Sequence, residues 1–241
     1  MNPTVIAETL RRHLTSGAYL VFLLFLAMVA LGVSRFDSPA ALWPTLVGLL
    51  AIVAGAGLIG PEFSSGTLQL ILVKPVNRSV YLLSRYAGVV AAVWIAAAFA
   101  FLFEAAGRVL LWDAPVPWDG MFPKLIFVAA AALLTCALLA FFGSLTRAYL
   151  NVAVYFLVMI GLSVTMAILG VIRGTGGAAG QFLRENTIIE RTLLAVEANL
   201  FPDFPPGLDR QWLLRVAANA AVALVLACFA FRRREVPYGA E

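Results

Sequence analysis

Long runs of apolar residues constrain this chain more than any other feature of its sequence. A helix needs roughly 20 apolar residues to cross a hydrocarbon core about 30 Å thick. Three charged residues in these runs, Arg85, Lys124 and Arg215, lie close to an end, where a long side chain can extend to the interface. Aromatic residues such as Tyr19, Trp43 and Tyr81 lie near the starts of runs and are expected to anchor them at the interface. The sequence predicts six transmembrane helices, at residues 18–34, 41–60, 80–103, 122–143, 150–172 and 212–231.

The composition excludes an ordinary soluble domain. Hydrophobic residues make up 62% of the chain and charged residues 12%, whereas soluble domains are about half apolar and about a quarter charged. With a single His and two Lys, the chain offers little material for a nucleic-acid surface. We therefore expect an all-α integral membrane protein, with residues 1–241 forming one transmembrane domain in the cell membrane.

The distribution of arginines predicts the orientation. Six spans place both termini on one side, and the triplet at residues 232–234 follows the last span directly. Clustered Lys and Arg favour the cytoplasmic side, so both termini are expected in the cytoplasm. The longest connection, residues 173–211, would then be extracytoplasmic. It contains an amphipathic run in which Ile189, Leu193, Val196 and Leu200 share one helical face.

A short amphipathic helix is predicted at residues 2–15. Asn2 is suited to the N-cap position and Pro3 to the first helical position. One face collects Val5, Ile6, Thr9, Leu10, His13 and Leu14, and the other collects Thr4, Glu8, Arg11 and Arg12. Such a helix is typical of an element that lies along a membrane surface, with Ile6, Leu10, Arg11, Arg12 and Leu14 as its interface residues. We interpret His13 as a packed residue without chemistry.

The segment between the second and third runs predicts a second short helix. Pro61 cannot continue the hydrogen-bond ladder of the preceding span, and Glu62 suits the first turn of a new helix. Residues 62–73 would form a helix of about 18 Å, too short to cross the membrane. Pro75 ends it. The pattern indicates a short cytoplasmic helix between two breaks, although a helical turn that merely orders the loop would leave the same pattern.

This segment resembles the one that joins the second and third spans of ABC-2-type permeases, the membrane subunits of ATP-binding-cassette exporters. The resemblance rests on Glu62, followed by Gly66-Thr67-Leu68, and on Pro75-Val76 with Arg78. It implies that this helix is a coupling helix, whose docking and hinge residues are Glu62, Gly66, Thr67, Leu68, Pro75 and Arg78. The N-terminal helix would be the family's interface helix.

The resemblance also implies the partners. The chain would pair with a second permease copy in a prokaryotic plasma or inner membrane, in contact with membrane lipid, and with a separate cytosolic ATPase that binds ATP and Mg. The printed sequence contains no GxxxxGK[ST] motif, which cradles nucleotide phosphates. We therefore expect no catalytic, cofactor or metal site on this chain, and ATP hydrolysis on another polypeptide.

Two other functions fit parts of the pattern. A membrane scaffold or assembly factor without transport would keep the spans and the docking helix. An ion-coupled carrier would need an ionisable residue inside a span, and the predicted spans contain none near mid-membrane. Glu104 and Arg108, one helical turn apart, are interpreted as a surface ion pair. The small residues Gly48, Ala51 and Gly55 are interpreted as packing within the chain rather than as a dimer seam.

Overall fold

All the regular secondary structure in the described part of the chain is helical. The computed structural model describes residues 1–35, 42–59, 77–146, 149–174, 187–200 and 209–233. Within them lie eight helices: α1 (Pro3–Leu14), α2 (Gly17–Val33), α3 (Leu42–Ala56), α4 (Arg78–Trp112), α5 (Trp118–Leu145), α6 (Leu150–Gly174), α7 (Thr187–Leu200) and α8 (Arg210–Arg233). The expected all-α class is confirmed.

Within the residues that the structure describes, four helices are long and apolar enough to cross a membrane by themselves: α4, α5, α6 and α8. The pair α1 and α2, bent by 65°, raises the number to five if it forms one broken span. Helix α3 is apolar but has 15 residues, about 22 Å at 1.5 Å per residue. The structure therefore supports four to five spans, and the expected count of six remains a prediction.

Helices α4 and α5 form the centre of the bundle. They run antiparallel, since the Tyr86 hydroxyl donates to the Leu133 carbonyl while Trp94, further along α4, donates to the earlier Ala129. Helices α1, α2, α3 and α8 all pack against α4, and α3, α6 and α8 pack against α5. Small side chains such as Ala96 and Ala97 are fully buried in this core, which allows close approach of helices.

The bundle has two ends that differ in chemistry. The end that holds α1, the end of α3, the start of α4 and the end of α8 is called here the α1 end. The opposite end, which holds Ser34, Trp43 and the last three turns of α4, is called the Glu104 end. Polar contacts at each end come from residues far apart in sequence, including the Arg232 to Ser79 bond at the α1 end and the Trp112 to Ser34 bond at the Glu104 end.

The interpretation of Glu104 and Arg108 as a surface ion pair is wrong. Helix α4 continues nine residues beyond the predicted end at residue 103, and it carries both side chains into the bundle. Glu104 is 1% exposed, accepts a 2.5 Å hydrogen bond from the Trp43 indole, and lies 3.7 Å from the Arg108 guanidinium. A buried charge is tolerated when it is paired and hydrogen-bonded, and the partner on α3 could not be read from the spacing along α4.

The aromatic anchors expected near span starts are buried in several cases. Trp43 is fully buried, and Tyr19 and Tyr81 are nearly so. The Tyr19 hydroxyl donates 2.7 Å to the Ala92 carbonyl of α4, so this ring joins helices instead of facing headgroups. Tyr149 is exposed, as an interfacial residue would be.

Two of the three small residues on α3, Ala51 and Gly55, pack within the chain as interpreted from the sequence. A Cβ added at Gly55 would lie 2.7 Å from Leu139 Cδ1 of α5, and Ala51 is fully buried. Gly48 has nothing within 4 Å of its added Cβ. The close approach of α3 to α5 accounts for the small residues at Gly55 and Ala51.

Candidate functional site

The end of α3 is held by side chains from two other helices. The carbonyl of Ala56 accepts a hydrogen bond from the Asn151 amide of α6, at 3.3 Å. The carbonyls of Gly57 and Leu58 accept hydrogen bonds from the Arg85 guanidinium of α4, also at 3.3 Å. Three consecutive carbonyls, that of the last helical residue, which the helix end leaves without an intrahelical partner, and those of the two residues after it, are thus satisfied by α4 and α6.

This arrangement explains why α3 ends before the predicted limit at residue 60. The helix stops at Ala56 and the chain turns through Gly57–Ile59. Arg85 supplies donors to these carbonyls, and a positive charge at a helix C-terminus is favourable because of the helix dipole. The sequence predicted that Arg85 extends to the membrane interface, whereas its guanidinium binds the backbone of a neighbouring helix.

Arg85 also lies beside α1. Burial, followed by the positive charges of Arg85 and Arg12, lowers the pKa of His13 below its ordinary value. Desolvation and nearby cations both disfavour the imidazolium form, so the neutral imidazole of His13 is favoured at neutral pH. The charge of Arg85 therefore acts on α1 as well as on the carbonyls that follow α3.

Helix α1 packs tightly on α4 through the face predicted from the sequence. Thr9 is buried at 3% exposure, and a Cβ added at Gly88 would lie 2.7 Å from Thr9 Cβ and 3.0 Å from the Ile6 carbonyl. The Asn2 N–H donates 2.8 Å to the Ser84 hydroxyl. A glycine at residue 88 is therefore required for this close approach.

The start of α4 has its own fixed geometry. The Asn77 side chain caps the helix by accepting from the Ser79 N–H at 3.0 Å. The Ser79 hydroxyl accepts a 2.8 Å hydrogen bond from Arg232 Nε of α8. Both chain segments that flank residues 60–76 are consequently anchored in the bundle, at Gly57–Leu58 on one side and at Asn77–Ser79 on the other.

The residues predicted to form the docking site fall in two groups. Glu62, Gly66, Thr67, Leu68 and Pro75 lie outside the described residues, whereas Arg78 is the first residue of α4. The α1 residues are all described: Ile6, Leu10 and Leu14 are partly buried, and Arg11 and Arg12 are exposed. The structure places these five on a helix that contacts α4.

Sequence reasoning missed Asn151 and the role of Arg85. Asn151 is a polar residue at the start of an otherwise apolar run, and Arg85 is an arginine about two turns into another run. Either one is a weak signal in isolation. Asn151 bonds to the last residue of α3, 95 positions away, and Arg85 bonds to the two residues that follow α3, 27 and 28 positions away. The signal that could have found them is the general rule that the carbonyls at a buried helix end need donors.

Comparison with known families settles the class of protein. The family model described as ABC-2 family transporter protein matches residues 22–236. The chain belongs to this family. Among curated proteins, none matches the chain in sequence. The matched region includes α3, α4 and the segment between them, so residues 60–76 lie within the family domain.

Family membership confirms the resemblance recognised from the segment between the second and third spans. The chain is a multi-pass membrane permease of ABC transporters, a transport subunit that is not itself catalytic. ABC-2 family permeases work with ATP-binding-cassette ATPase partners. The hydrogen bonds from Arg85 to Gly57 and Leu58 therefore belong to a permease. They lie next in sequence to the segment that the resemblance identifies as the contact with the ATPase.

Proposed function

We propose that this permease is one half of an ABC exporter, coupled to a separate cytosolic ATPase through residues 62–78. In this proposal the chain crosses the membrane six times, and its α1 end faces the cytoplasm. A second copy, or a similar chain, completes the path. The observation that carries the proposal is the capture of three successive carbonyls at the end of α3 by Arg85 and Asn151.

The α1 end is suited to transmit displacement. A push on residues 62–73 would act on the end of α3, which is bonded to α4 through Arg85 and to α6 through Asn151. It would also act on the start of α4, which is bonded to α8 through Ser79 and Arg232. Movement of one short segment would thus reach four membrane helices through these contacts.

Charge supports the proposed orientation. Arg78, Arg85, Arg232 and Arg233 lie at the start of α4 or at the end of α8, and the Ser79 contact brings these two helix ends together. Clustered arginines near the ends of spans favour the cytoplasmic side. The same side would hold α1, whose Arg11 and Arg12 are exposed.

The experiment separates docking from transmission. The tagged permease is extracted from its own cell membranes in mild detergent, and the retained ATPase and its Mg-ATP turnover are measured. We expect Glu62→Arg combined with Gly66→Pro to lose the ATPase, because a repulsive charge and a helix break fall on the docking segment. We expect Arg85→Ala to retain the ATPase but to reduce transport-coupled turnover severalfold.

The matched control is Arg215→Ala, which removes the same charge from the opposite end of α8 and should change neither quantity. Arg85→Lys keeps the charge but lacks the planar fork that contacts both carbonyls, so it should restore turnover only in part. Unchanged association and unchanged ATP turnover in the Glu62/Gly66 double variant would show that the docking assignment is wrong.

A further inference from the structure

A groove lies between α4 and α8 at the α1 end of the bundle. Its volume is about 390 Å³. The lining residues are mostly apolar with a polar pair at one end, and they are Leu83, Leu224, Val225, Cys228 and Phe229, with Ser79 and Arg232. The proposed transmission uses the Arg232 to Ser79 bond at one end of this groove and none of its apolar lining residues.

Along α8, the apolar residues of the groove come first and its polar residue, Arg232, comes last. From Leu224 to Arg232, α8 rises about 12 Å at 1.5 Å per residue, and the apolar lining residues precede the arginine. Arg232 stands in the last turn of α8 and Ser79 in the first turn of α4. The polar end therefore lies where helices leave the membrane, and the apolar end points into it.

The groove opens toward lipid. Val225 and Phe229, which line it, are 67% and 53% exposed, and their neighbours Val222 and Leu226 on α8 are also exposed. A membrane-embedded chain presents such a face to acyl chains. The surrounding surface therefore favours an occupant that enters sideways from the bilayer over a water-soluble molecule.

The polar end selects a negative charge. Arg232 donates to the Ser79 hydroxyl through Nε, and the N–H groups on its two Nη atoms are further donors in the same plane. Arg233 stands beside it with its guanidinium 4.1 Å from the centre of the Phe229 ring. Among the described residues that line the groove, none is acidic. Basic pockets between membrane helices are a recognised setting for anionic headgroups.

We propose that this groove binds a phospholipid with an anionic headgroup, the phosphate on Arg232 and Ser79 and one acyl chain along Leu224, Val225 and Leu83. Bound there, the lipid bridges α4 and α8, which the chain itself joins at this end through the Arg232 to Ser79 contact. The inference does not rest on coupling to an ATPase. It requires only a membrane-embedded chain.

The test measures lipid retention by the full permease. The protein is stripped of lipid in detergent and given phosphatidylglycerol or phosphatidylcholine, and bound lipid is counted by native mass spectrometry alongside the melting temperature. We expect retention of phosphatidylglycerol over phosphatidylcholine and a melting temperature that rises with its concentration, since a ligand that binds only the folded state stabilises it.

Two variants and a control separate the parts of the site. Arg232→Gln should remove the preference for phosphatidylglycerol, and Val225→Trp should reduce retention of both lipids because the indole fills the groove. Arg215→Gln, an identical change at the other end of α8, should behave as the unmodified protein.

Several results would overturn the proposal. Retention of phosphatidylglycerol by Arg232→Gln at the unmodified level would do so, as would equal retention of both lipids by the unmodified protein. Stabilisation by inorganic phosphate alone to the same extent would show that the site takes a free anion and not a lipid. If Val225→Trp left lipid retention unchanged and altered the oligomeric mass in light scattering, the groove would be a contact between permease copies.

Discussion

Helices α5 and α6 are almost equally apolar, yet they occupy opposite positions in the molecule. The most apolar stretch of α5 has a mean hydropathy of 2.7 and that of α6 has 2.5. Half of that stretch is buried in α5, whereas 6% is buried in α6. Hydropathy predicts that both helices cross a membrane, and it carries no information on which helix packs inside the protein.

The difference comes from side-chain size and from neighbours. Helix α5 meets α3, α4 and α8, and its buried residues include several small ones, such as Ala137, Ala140 and Gly143. Helix α6 instead presents an exposed apolar stripe made of Leu157, Ile160, Val164, Ile168 and Val171. Its attachment to the core depends on its first turns, where Asn151 is fully buried.

The largest contrast is expected from the same substitution in each helix. Leu139 of α5 is 0% exposed and Leu157 of α6 is 72% exposed. Leu139→Ala should lower stability by about 2–5 kcal/mol, because it leaves a cavity in a packed core, whereas Leu157→Ala should have almost no effect. Melting temperatures of the purified permease in one detergent measure both. Equal losses would show that α6 is packed as tightly as α5.

Added volume gives the next contrast. Gly55→Leu would force atoms into Leu139, which lies 2.7 Å from the added Cβ, while Gly161 on α6 has nothing within 4 Å. Overpacking costs about 1–3 kcal/mol, so Gly55→Leu should reduce the melting temperature and Gly161→Leu should not. A destabilised Gly161→Leu in the detergent-solubilised single chain would contradict the exposed position of α6.

The smallest expected effect tests how α6 is attached to the core. Asn151→Leu removes donors from the carbonyls of Ala56 and Leu139, which should cost about 1 kcal/mol for each bond. Thr165→Val is the control, since the Thr165 hydroxyl is exposed and bonds within its own helix to Gly161. Proteolysis between α5 and α6 should increase in the Asn151 variant alone. Equal cleavage of both variants would mean that Asn151 does not hold α6.

The sequence predicted where the helices lie better than it predicted which helices pack against one another. The runs at 150–172 and 212–231 became α6 and α8 with ends shifted by about two residues, because length and hydropathy decide those helices locally. The exposed and buried faces of α1 also follow its period. The extension of α4 to Trp112 was missed, since Glu104 resembles a span end until Trp43 supplies its partner.

Dependence on partners that are distant in sequence also limits what the sequence could predict of the candidate site. Gly66-Thr67-Leu68 and Pro75 identify a family segment by local pattern. Arg85, Asn151 and Gly88 matter through contacts with α3 or α1 that are distant in sequence. Those contacts depend on how the helices pack.

The most direct test of the central claim asks which protein touches residue 68. A photo-crosslinking amino acid is placed at Leu68 of the permease in intact cells, with Leu194 on α7 as the control position, and the adducts are identified by mass spectrometry. The account predicts that Leu68 captures a cytosolic protein with a P-loop ATPase sequence and that Leu194 does not. Capture of the same ATPase from both positions, or of only extracytoplasmic proteins from Leu68, would contradict it.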